Sequence, residues 1–225
     1  MAVILNIETS TKNCSVSIAK EGKILSLKEI NNGAYSHAEM LHPLIVEALE
    51  ETKLTIEELS AVAVGKGPGS YTGLRIGVSA AKGLCFTHNI PLIAINSLEI
   101  LSLSCVTEKG VIIPMIDARR MEVYSAIFNY NYQRIRKTEA EIITENSFLE
   151  YLEKGPVYFL GDGAEKCKET ISNENAFFID GKFPSAKEMA EASYDKFKKS
   201  DMEDVAYFEP FYLKDFVATK EKKKL

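Results

Sequence analysis

One glycine-rich stretch, residues 65–77, constrains the fold more than any other part of the chain. It reads GKGPGSYTGLRIG. The short apolar run Ala61–Val64 before it predicts a buried strand, and the apolar segment after it, to about His88, predicts a helix. A parallel sheet uses such a junction to bring backbone N–H groups to a helix N-terminus, where an anion can bind. The stretch therefore predicts an α/β fold with a candidate phosphate loop.

The spacing of these glycines does not match the known phosphate motifs. The G-x-x-x-x-G-K-[ST] pattern requires Lys and Ser/Thr after a glycine at positions where this chain has none. The dinucleotide pattern fails as well, because Ser70 or Thr72 stands where its last glycine should be. Two interpretations stay open: contact with phosphate through Gly67, Gly69 and Ser70, or a turn that starts a closely packed helix.

The helix that follows the loop has small residues at a spacing of four. Gly73, Gly77 and Ala81 fall on one face. Each interior glycine costs about 1 kcal/mol relative to alanine, so we expect a close neighbour to offset this. The remaining apolar face favours a neighbouring helix, either from this chain or from a partner.

The two halves of the chain repeat one order of elements, although no residue-level repeat is visible. The first half predicts three strands, a helix, a strand and a helix, and the second half predicts the same. The predicted elements of the first half are Val3–Ile7, Cys14–Ala19, Lys23–Ile30, Ser36–Glu51, Ala61–Val64 and Tyr71–His88. Those of the second half are Val111–Ile116, Glu122–Phe128, Gln133–Ile143, Asn146–Leu152, Val157–Leu160 and Ala164–Ile171. A duplicated β-β-β-α-β-α unit is the plan of actin-like ATPases, with predicted domains at 1–103 and 104–225.

Local signals refine these boundaries. Ser36–Glu39 predicts a capping box, and Pro43 predicts a kink or a tightened first turn. After the bridging strand Leu92–Ile95, Ser97 is a predicted N-cap. Further elements are a last helix to about Lys199, a packed edge segment at Pro210–Leu213 and a solvated Lys-rich terminus at Lys220–Lys224.

Analogy with actin-like ATPases suggests phosphate contacts in two loops. The first loop carries Glu8, Thr9 and Ser10, and the corresponding loop of the second half carries Asp117 and Arg119. The alternative is that both are polar turns whose side chains satisfy their own backbone.

Two histidines invite a metal interpretation that helix geometry excludes. His37 and His42 are five residues apart, which places them roughly 140° apart around a helix, so both cannot face one ion. Ser70 has no identifiable histidine base and does not fit G-x-S-x-G, so a serine hydrolase is not expected. We predict no metal site and no catalytic residue.

Composition limits the classes of partner and the compartment. A net charge of −5 argues against a chain that binds nucleic acid on its own. Cys14, Cys85, Cys105 and Cys167 lie far apart and predict reduced thiols. No signal peptide and no membrane span are predicted, and a cytoplasmic protein is expected.

The segment GPGSYTGLRIG at 67–77 resembles the signature of the TsaB (YeaZ) family. Supporting matches span nearly the whole chain. They are ILNIETSTKNCSVSIA, SHAEMLHPLI, Asp117-Ala118-Arg119 with Glu122-Val123-Tyr124, LGDGAEK and EPFYLKDF. The resemblance implies an actin-like fold and a non-catalytic subunit. That subunit would support a catalytic TsaD paralogue and a TsaE ATPase, which transfer threonylcarbamoyl to N6 of the adenosine beside the tRNA anticodon.

The resemblance also implies partners and a binding surface. The family pairs through its N-terminal helices, as a homodimer when alone, and tRNA is met only through the complex. No cofactor is expected, apart from ATP or ADP at the partner interface. The paralogue has a His-x-x-x-His pair, which His37 and His42 do not reproduce, and Glu8 stands where the family usually has Asp. The predicted partner-binding residues are Met40, Pro43, Tyr71, Thr72, Gly73, Arg75, Ile76, Gly77 and Ala80.

An enzyme remains the alternative. The duplicated unit and glycine-rich turns also fit a stand-alone actin-like ATPase or phosphotransferase. A stand-alone glycopeptidase is not expected, because the sequence lacks a set of metal ligands.

Overall fold

We analysed a computed structural model, which describes residues 1–31, 33 and 36–214. The Lys-rich segment Lys220–Lys224 and the last two residues of EPFYLKDF lie outside the described residues. None of the described helices is long and apolar enough to cross a membrane.

The first half of the chain forms a five-stranded mixed sheet. Its elements are β1 (Val3–Glu8), β2 (Cys14–Lys20), β3 (Lys23–Ile30), α1 (His37–Thr52), a 3₁₀ turn (Ile56–Glu58), β4 (Ala61–Gly65), α2 (Tyr71–His88) and β5 (Leu92–Ile95). The strand order is β3-β2-β1-β4-β5. β1, β2 and β3 pair antiparallel, whereas β4 lies parallel to β1 and β5 parallel to β4.

The second half repeats this arrangement with shorter helices. After α3 (Ser97–Ser102) come β6 (Val111–Asp117), β7 (Glu122–Asn129), β8 (Arg134–Ile142), α4 (Leu149–Leu152), β9 (Val157–Leu160), a 3₁₀ turn (Glu165–Cys167), β10 (Ala176–Ile179) and α5 (Ala186–Lys198). The order β8-β7-β6-β9-β10 and its strand directions match the first sheet. The predicted duplication is therefore confirmed.

Two helices predicted in the second half were wrong in length. Phe148 has a φ of 64°, a left-handed conformation that prevents α4 from starting at Asn146. The segment Ala164–Ile171 contains only a 3₁₀ turn, because the chain must soon enter β10, a strand that we did not predict. These connections leave far less helix over the second sheet than α1 and α2 provide over the first.

Two predicted caps were also wrong. The Ser36 side chain makes no capping hydrogen bond to α1, so the capping box at Ser36–Glu39 does not form. α1 continues through Pro43 without interruption. The N-cap of α3 is Asn96, whose Oδ1 accepts from the N–H groups of Leu98 and Glu99 at 3.0 and 3.4 Å. The Ser97 hydroxyl is used elsewhere, as described below.

Helices cover both faces of the first sheet. Strand β2 alternates, so that Ser15 and Ser17 face away from the core residues Cys14, Val16 and Ile18, and both serines are fully buried. Ser17 Oγ donates to the Ala186 carbonyl at 2.7 Å, and the Ala186 N–H donates to Ser15 Oγ at 2.9 Å. These serines therefore hold the start of α5 against the sheet.

The last helix of each half packs on the sheet of the other half. α3 follows β5, but Leu98 and Leu101 pack with Ile112 and Phe128 of the second sheet. α5 follows β10, but its buried residues pack on β1, β4 and β5 of the first sheet. Each half thus supplies a helix to the other. The domain boundary at 103/104 stays a prediction.

The segment after α5 returns to the body of the protein, as predicted. The Phe211 N–H donates to the Lys66 carbonyl at 2.7 Å, and Lys82 Nζ donates to the Phe208 carbonyl at 2.9 Å. This segment therefore ties the end of the described chain to the glycine-rich stretch and to α2.

All four cysteines are free, and all four are buried. Burial raises the pKa of the Cys14, Cys85 and Cys167 thiols to about 11. These thiols are protonated at neutral pH and act as small apolar side chains.

Candidate functional site

The glycine-rich stretch encloses the loop that follows β1. A Cβ on Gly65 would lie 2.0 Å from Glu8 Oε2, and one on Gly69 would lie 2.3 Å from the Ser10 carbonyl oxygen. Further along α2, a Cβ on Gly73 would stand 2.2 Å from the Thr9 carbonyl oxygen. On Gly77 it would stand 2.2 Å from Thr9 Oγ1. Every fourth residue from 65 to 77 therefore makes room for residues 8–10.

Hydrogen bonds fix this loop against the start of α2. Thr9 Oγ1 donates to the Gly73 carbonyl at 2.8 Å, and the Ser70 N–H donates to the Ser10 carbonyl at 2.7 Å. Thr9 and Ser10 are almost completely buried. The close neighbour that we predicted for the small-residue helix exists, but at Gly73 and Gly77 it is a loop of the same chain, not another helix.

Glu8 is fully buried at the end of β1. Its Oε1 accepts from the Ser10 N–H at 2.6 Å, and its Oε2 accepts from Ser97 Oγ at 3.1 Å. Burial is the main influence on this carboxyl and raises its pKa, against smaller lowering contributions from these hydrogen bonds. The Glu8 carboxyl, predicted as a phosphate-loop contact, is thus hydrogen-bonded inside the protein.

The backbone N–H groups of the glycine loop are partly engaged within the chain. The Gly67 N–H donates to Ser97 Oγ at 3.2 Å, and the Ser70 N–H donates to the Ser10 carbonyl oxygen. Ser70 Oγ caps α2 by accepting from the Gly73 N–H at 3.3 Å. The phosphate contact through Gly67, Gly69 and Ser70 stays a prediction.

The corresponding turn of the second half also bonds to itself. Asp117 Oδ1 accepts from the Arg119 N–H at 2.9 Å and pairs with Lys166. Arg119 has a φ of 70°, which a tight turn after β6 requires. The Asp117 N–H donates to Asp162 Oδ1 at 3.1 Å. A phosphate contact by Asp117 and Arg119 stays a prediction.

A charge of the first loop acts on the turn after β9 in the second half. Burial raises the pKa of Asp162, which lies in the turn after β9, and the charge of Lys12 opposes this rise. Lys12 belongs to the loop between β1 and β2. A shared phosphate site formed by the two predicted loops stays a prediction.

The two histidines of α1 point to different environments, as the helix geometry required. His37 is buried, and its Nε2 lies 2.7 Å from the Thr11 carbonyl oxygen. Burial lowers the pKa of His37. His42 is exposed. Among the residues that the structure describes, no three His, Cys, Asp or Glu side chains form a group that could hold a metal ion.

The contacting helices α1 and α2 present an apolar outer surface, which we call the α1–α2 surface. Its residues on α1 are the half-buried Met40 and the exposed Pro43 and Val46. Its residues on α2 are the half-buried Ile76 and Ala80 and the exposed Gly83. A Cβ on Gly83 would meet no atom within 4 Å. This surface can receive another helix at close range.

The structure separates the predicted partner residues into outer and inner groups. Exposed Thr72 and Arg75 lie at the start of α2, where the Arg75 guanidinium stands 4.5 Å from the centre of the Tyr71 ring. Gly73 and Gly77 are buried against Thr9 and do not form part of the exposed surface of α2. The role of the outer residues in partner binding stays a prediction.

Val46 and Gly83 were not among the predicted partner-binding residues. The spacing of Met40, Pro43 and Val46, three residues apart, could have indicated one stripe on α1. The same holds for Ile76, Ala80 and Gly83 on α2.

Comparison with known proteins shows which family the chain belongs to. A family model described as "TsaD: tRNA N6-adenosine threonylcarbamoyltransferase" matches residues 32–222. The TsaB protein of Bacillus subtilis is 32% identical over 173 residues, covering 76% of this chain and 75% of that protein. The TsaB protein of Escherichia coli is 28% identical over 228 residues, covering 96% of both chains. Both relatives are named tRNA threonylcarbamoyladenosine biosynthesis protein TsaB.

A solved structure shows the same fold. YeaZ from Pseudomonas aeruginosa matches 95% of this chain and 100% of its own, with a TM-score of 0.80 and 24% sequence identity. The α/β fold with two equivalent sheets is thus the actin-like fold that the sequence predicted. Within the wider group that the TsaD model describes, the chain belongs to the TsaB family.

Proposed function

We propose that this chain acts in tRNA threonylcarbamoyladenosine biosynthesis as a non-catalytic subunit that binds and activates a TsaD-like paralogue. Its membership of the TsaB family is the observation that carries this proposal, because relatives that match most of the chain are named for this pathway. The α1–α2 surface is the proposed site of contact.

The fold explains why a TsaD-like protein suits this surface. The TsaD family model matches residues 32–222, so the proposed partner shares the architecture of this chain. Two proteins of one fold can pair equivalent helices about an approximate two-fold axis. The small residues Ala80 and Gly83 allow a close approach between helix backbones.

The state of the first loop supports a non-catalytic role. The loop after β1 has its carboxylate, Glu8, held by Ser10 and Ser97, and Thr9 is enclosed by α2. A phosphate that entered there would have to displace these buried contacts. We therefore assign the chemistry to the partner and a supporting role to this chain.

The proposal includes finer points from the resemblance. The chain forms a homodimer when alone, through the same surface that the paralogue uses. A TsaE-like ATPase completes the complex, tRNA is bound only by the complex in the cytoplasm, and ATP or ADP sits at the partner interface.

Reconstitution tests this function directly. Threonylcarbamoylation of tRNA is measured with the purified TsaD-like and TsaE-like proteins of the same organism, with and without this chain. We expect activity to depend on the chain. Equal activity in its absence would contradict the proposal, and ATP hydrolysis by the chain alone would favour the ATPase alternative.

The variant Gly83→Arg is expected to weaken binding to the TsaD-like partner by at least about tenfold, since a long charged side chain would stand where helices must approach. The free chain should stay folded, because a Cβ at Gly83 meets no atom within 4 Å. Sedimentation velocity of the variant mixed with the TsaD-like partner measures the loss of binding. The control Glu150→Arg places the same side chain on an exposed site of α4 and should leave binding unchanged. Equal binding by both variants would exclude α2 from the interface.

A further inference from the structure

A cleft between the two halves carries a group of cations that the proposed function leaves unexplained. It has a volume of about 460 Å³ and lies between the ends of β4 and β5, strand β8 and the last turns of α5. Four basic side chains and one carboxylate line it, namely Lys66, Arg134, Lys137, Lys196 and Glu99. Lys66 belongs to the glycine-rich stretch itself. In a chain of net charge −5, such a group of cations is a local exception.

Only part of this positive charge is neutralised. Arg134 pairs with Glu99 at 2.9 Å, and Lys196 pairs with Asp201 at 2.5 Å. Lys66 and Lys137 form no ion pair with a carboxylate in the described part of the chain, although Lys66 is near enough to Asp201 to help lower its pKa. Two positive charges therefore remain in excess at one cavity, where an anion would be attracted.

The walls of the cleft add polar and aromatic groups. Asn96 and Thr138 are 6% and 9% exposed, and their side chains lie 3.5 Å apart at the cavity. The Phe211 ring forms another wall and is 38% exposed. The hydrogen bond from the Phe211 N–H to the Lys66 carbonyl fixes its backbone beside the cations. Cations attract the phosphate group of a ligand, and polar and aromatic groups beside them can orient the rest of the ligand.

We propose that this cleft binds a phosphorylated small molecule of about mononucleotide size. Lys66 and Lys137 provide the charge for its phosphate group, and Phe211 provides a surface for a planar group such as a nucleobase. The small extent of the charged lining favours a small ligand over a nucleic acid backbone, which would require a basic track along the surface. The site differs from the α1–α2 surface, so the proposal goes beyond the proposed function and does not depend on it.

Calorimetric titration of the full-length chain at low ionic strength tests the proposal, with ATP, pyrophosphate and adenosine as probes. ATP and pyrophosphate are expected to bind and adenosine is not. Lys66→Gln combined with Lys137→Gln should lower the affinity for both anions by at least about tenfold. The matched control Lys109→Gln changes an exposed lysine outside the cleft and should leave both affinities unchanged.

A second variant separates the aromatic contact from the charges. Phe211→Ala keeps the backbone hydrogen bond to Lys66 but removes the ring. It should therefore lower the affinity for ATP about tenfold and leave the affinity for pyrophosphate unchanged. Three results would overturn the proposal: no binding of either anion by the folded wild-type chain, binding that the double variant does not weaken, or binding of tRNA alone that the same variant abolishes. Circular dichroism confirms that each variant is folded.

Discussion

Replacing Gly73 with alanine is expected to destabilise the protein by about 3 kcal/mol. The added Cβ would stand 2.2 Å from the Thr9 carbonyl oxygen and 3.1 Å from His37 Cδ2. The Thr9 backbone cannot move away easily, because its neighbours Glu8 and Ser10 are bonded to Ser97 and Ser70. The free energy of unfolding in urea measures the loss.

Gly83→Ala is the matched control for this prediction, because it makes the same change on the same helix. No atom would lie within 4 Å of its Cβ, so helix propensity alone should act and should stabilise the protein by up to about 1 kcal/mol. The two variants should therefore move stability in opposite directions. Similar effects from both would show that the loop after β1 does not pack on α2 as described.

Glu8→Gln is expected to stabilise the protein above neutral pH and to remove part of its pH dependence. Burial raises the pKa of Glu8 above its ordinary value of 4.5, so the folded state favours the protonated acid. Glu8 therefore favours folding below the ordinary value, and this contribution is lost as the pH rises towards the folded pKa. The slope for one group cannot exceed about 1.4 kcal/mol per pH unit. The glutamine amide can still accept from Ser10 and donate to Ser97.

Urea unfolding of both proteins between pH 5 and pH 9 provides the test. The stability of Glu8→Gln relative to the wild type should grow with pH and then become constant. The control is Glu108→Gln, which removes one negative charge at an exposed site outside the helices and strands. A variant that is less stable than the wild type at alkaline pH would mean that the Glu8 carboxylate is stabilised by its hydrogen bonds despite burial.

Every strand except β10 could be predicted from the sequence because the signals are local. Alternation in β2, the glycine turn after it and the apolar run of β4 each set one element. The partner of the β2 serines could not be predicted, because α5 lies about 170 residues further on and nothing near Ser15 and Ser17 indicates it. The predicted length of α4 was wrong for a similar reason, because tertiary packing overrides a helical pattern.

The candidate site was predictable in part. The spacing of Gly73 and Gly77 required a close neighbour, and the structure has one. The identity of that neighbour depends on how β1 and β4 lie side by side in the sheet, which brings Thr9 against α2. The cation cleft could not be predicted, because Lys66 and Lys137 are distant in sequence and meet only when the two halves pack.

The exchange of α3 and α5 between the halves has a consequence for synthesis on the ribosome. The β1–β2 face of the first sheet is covered by α5, at residues 186–198, which are made long after the strands that they cover. Until then, Ile4 and Ile93 lack their cover, and Ser15 and Ser17 lack the backbone groups of Ala186. The first half must therefore wait in an incomplete state while most of the second half is translated, a period in which chaperones would find exposed apolar surface.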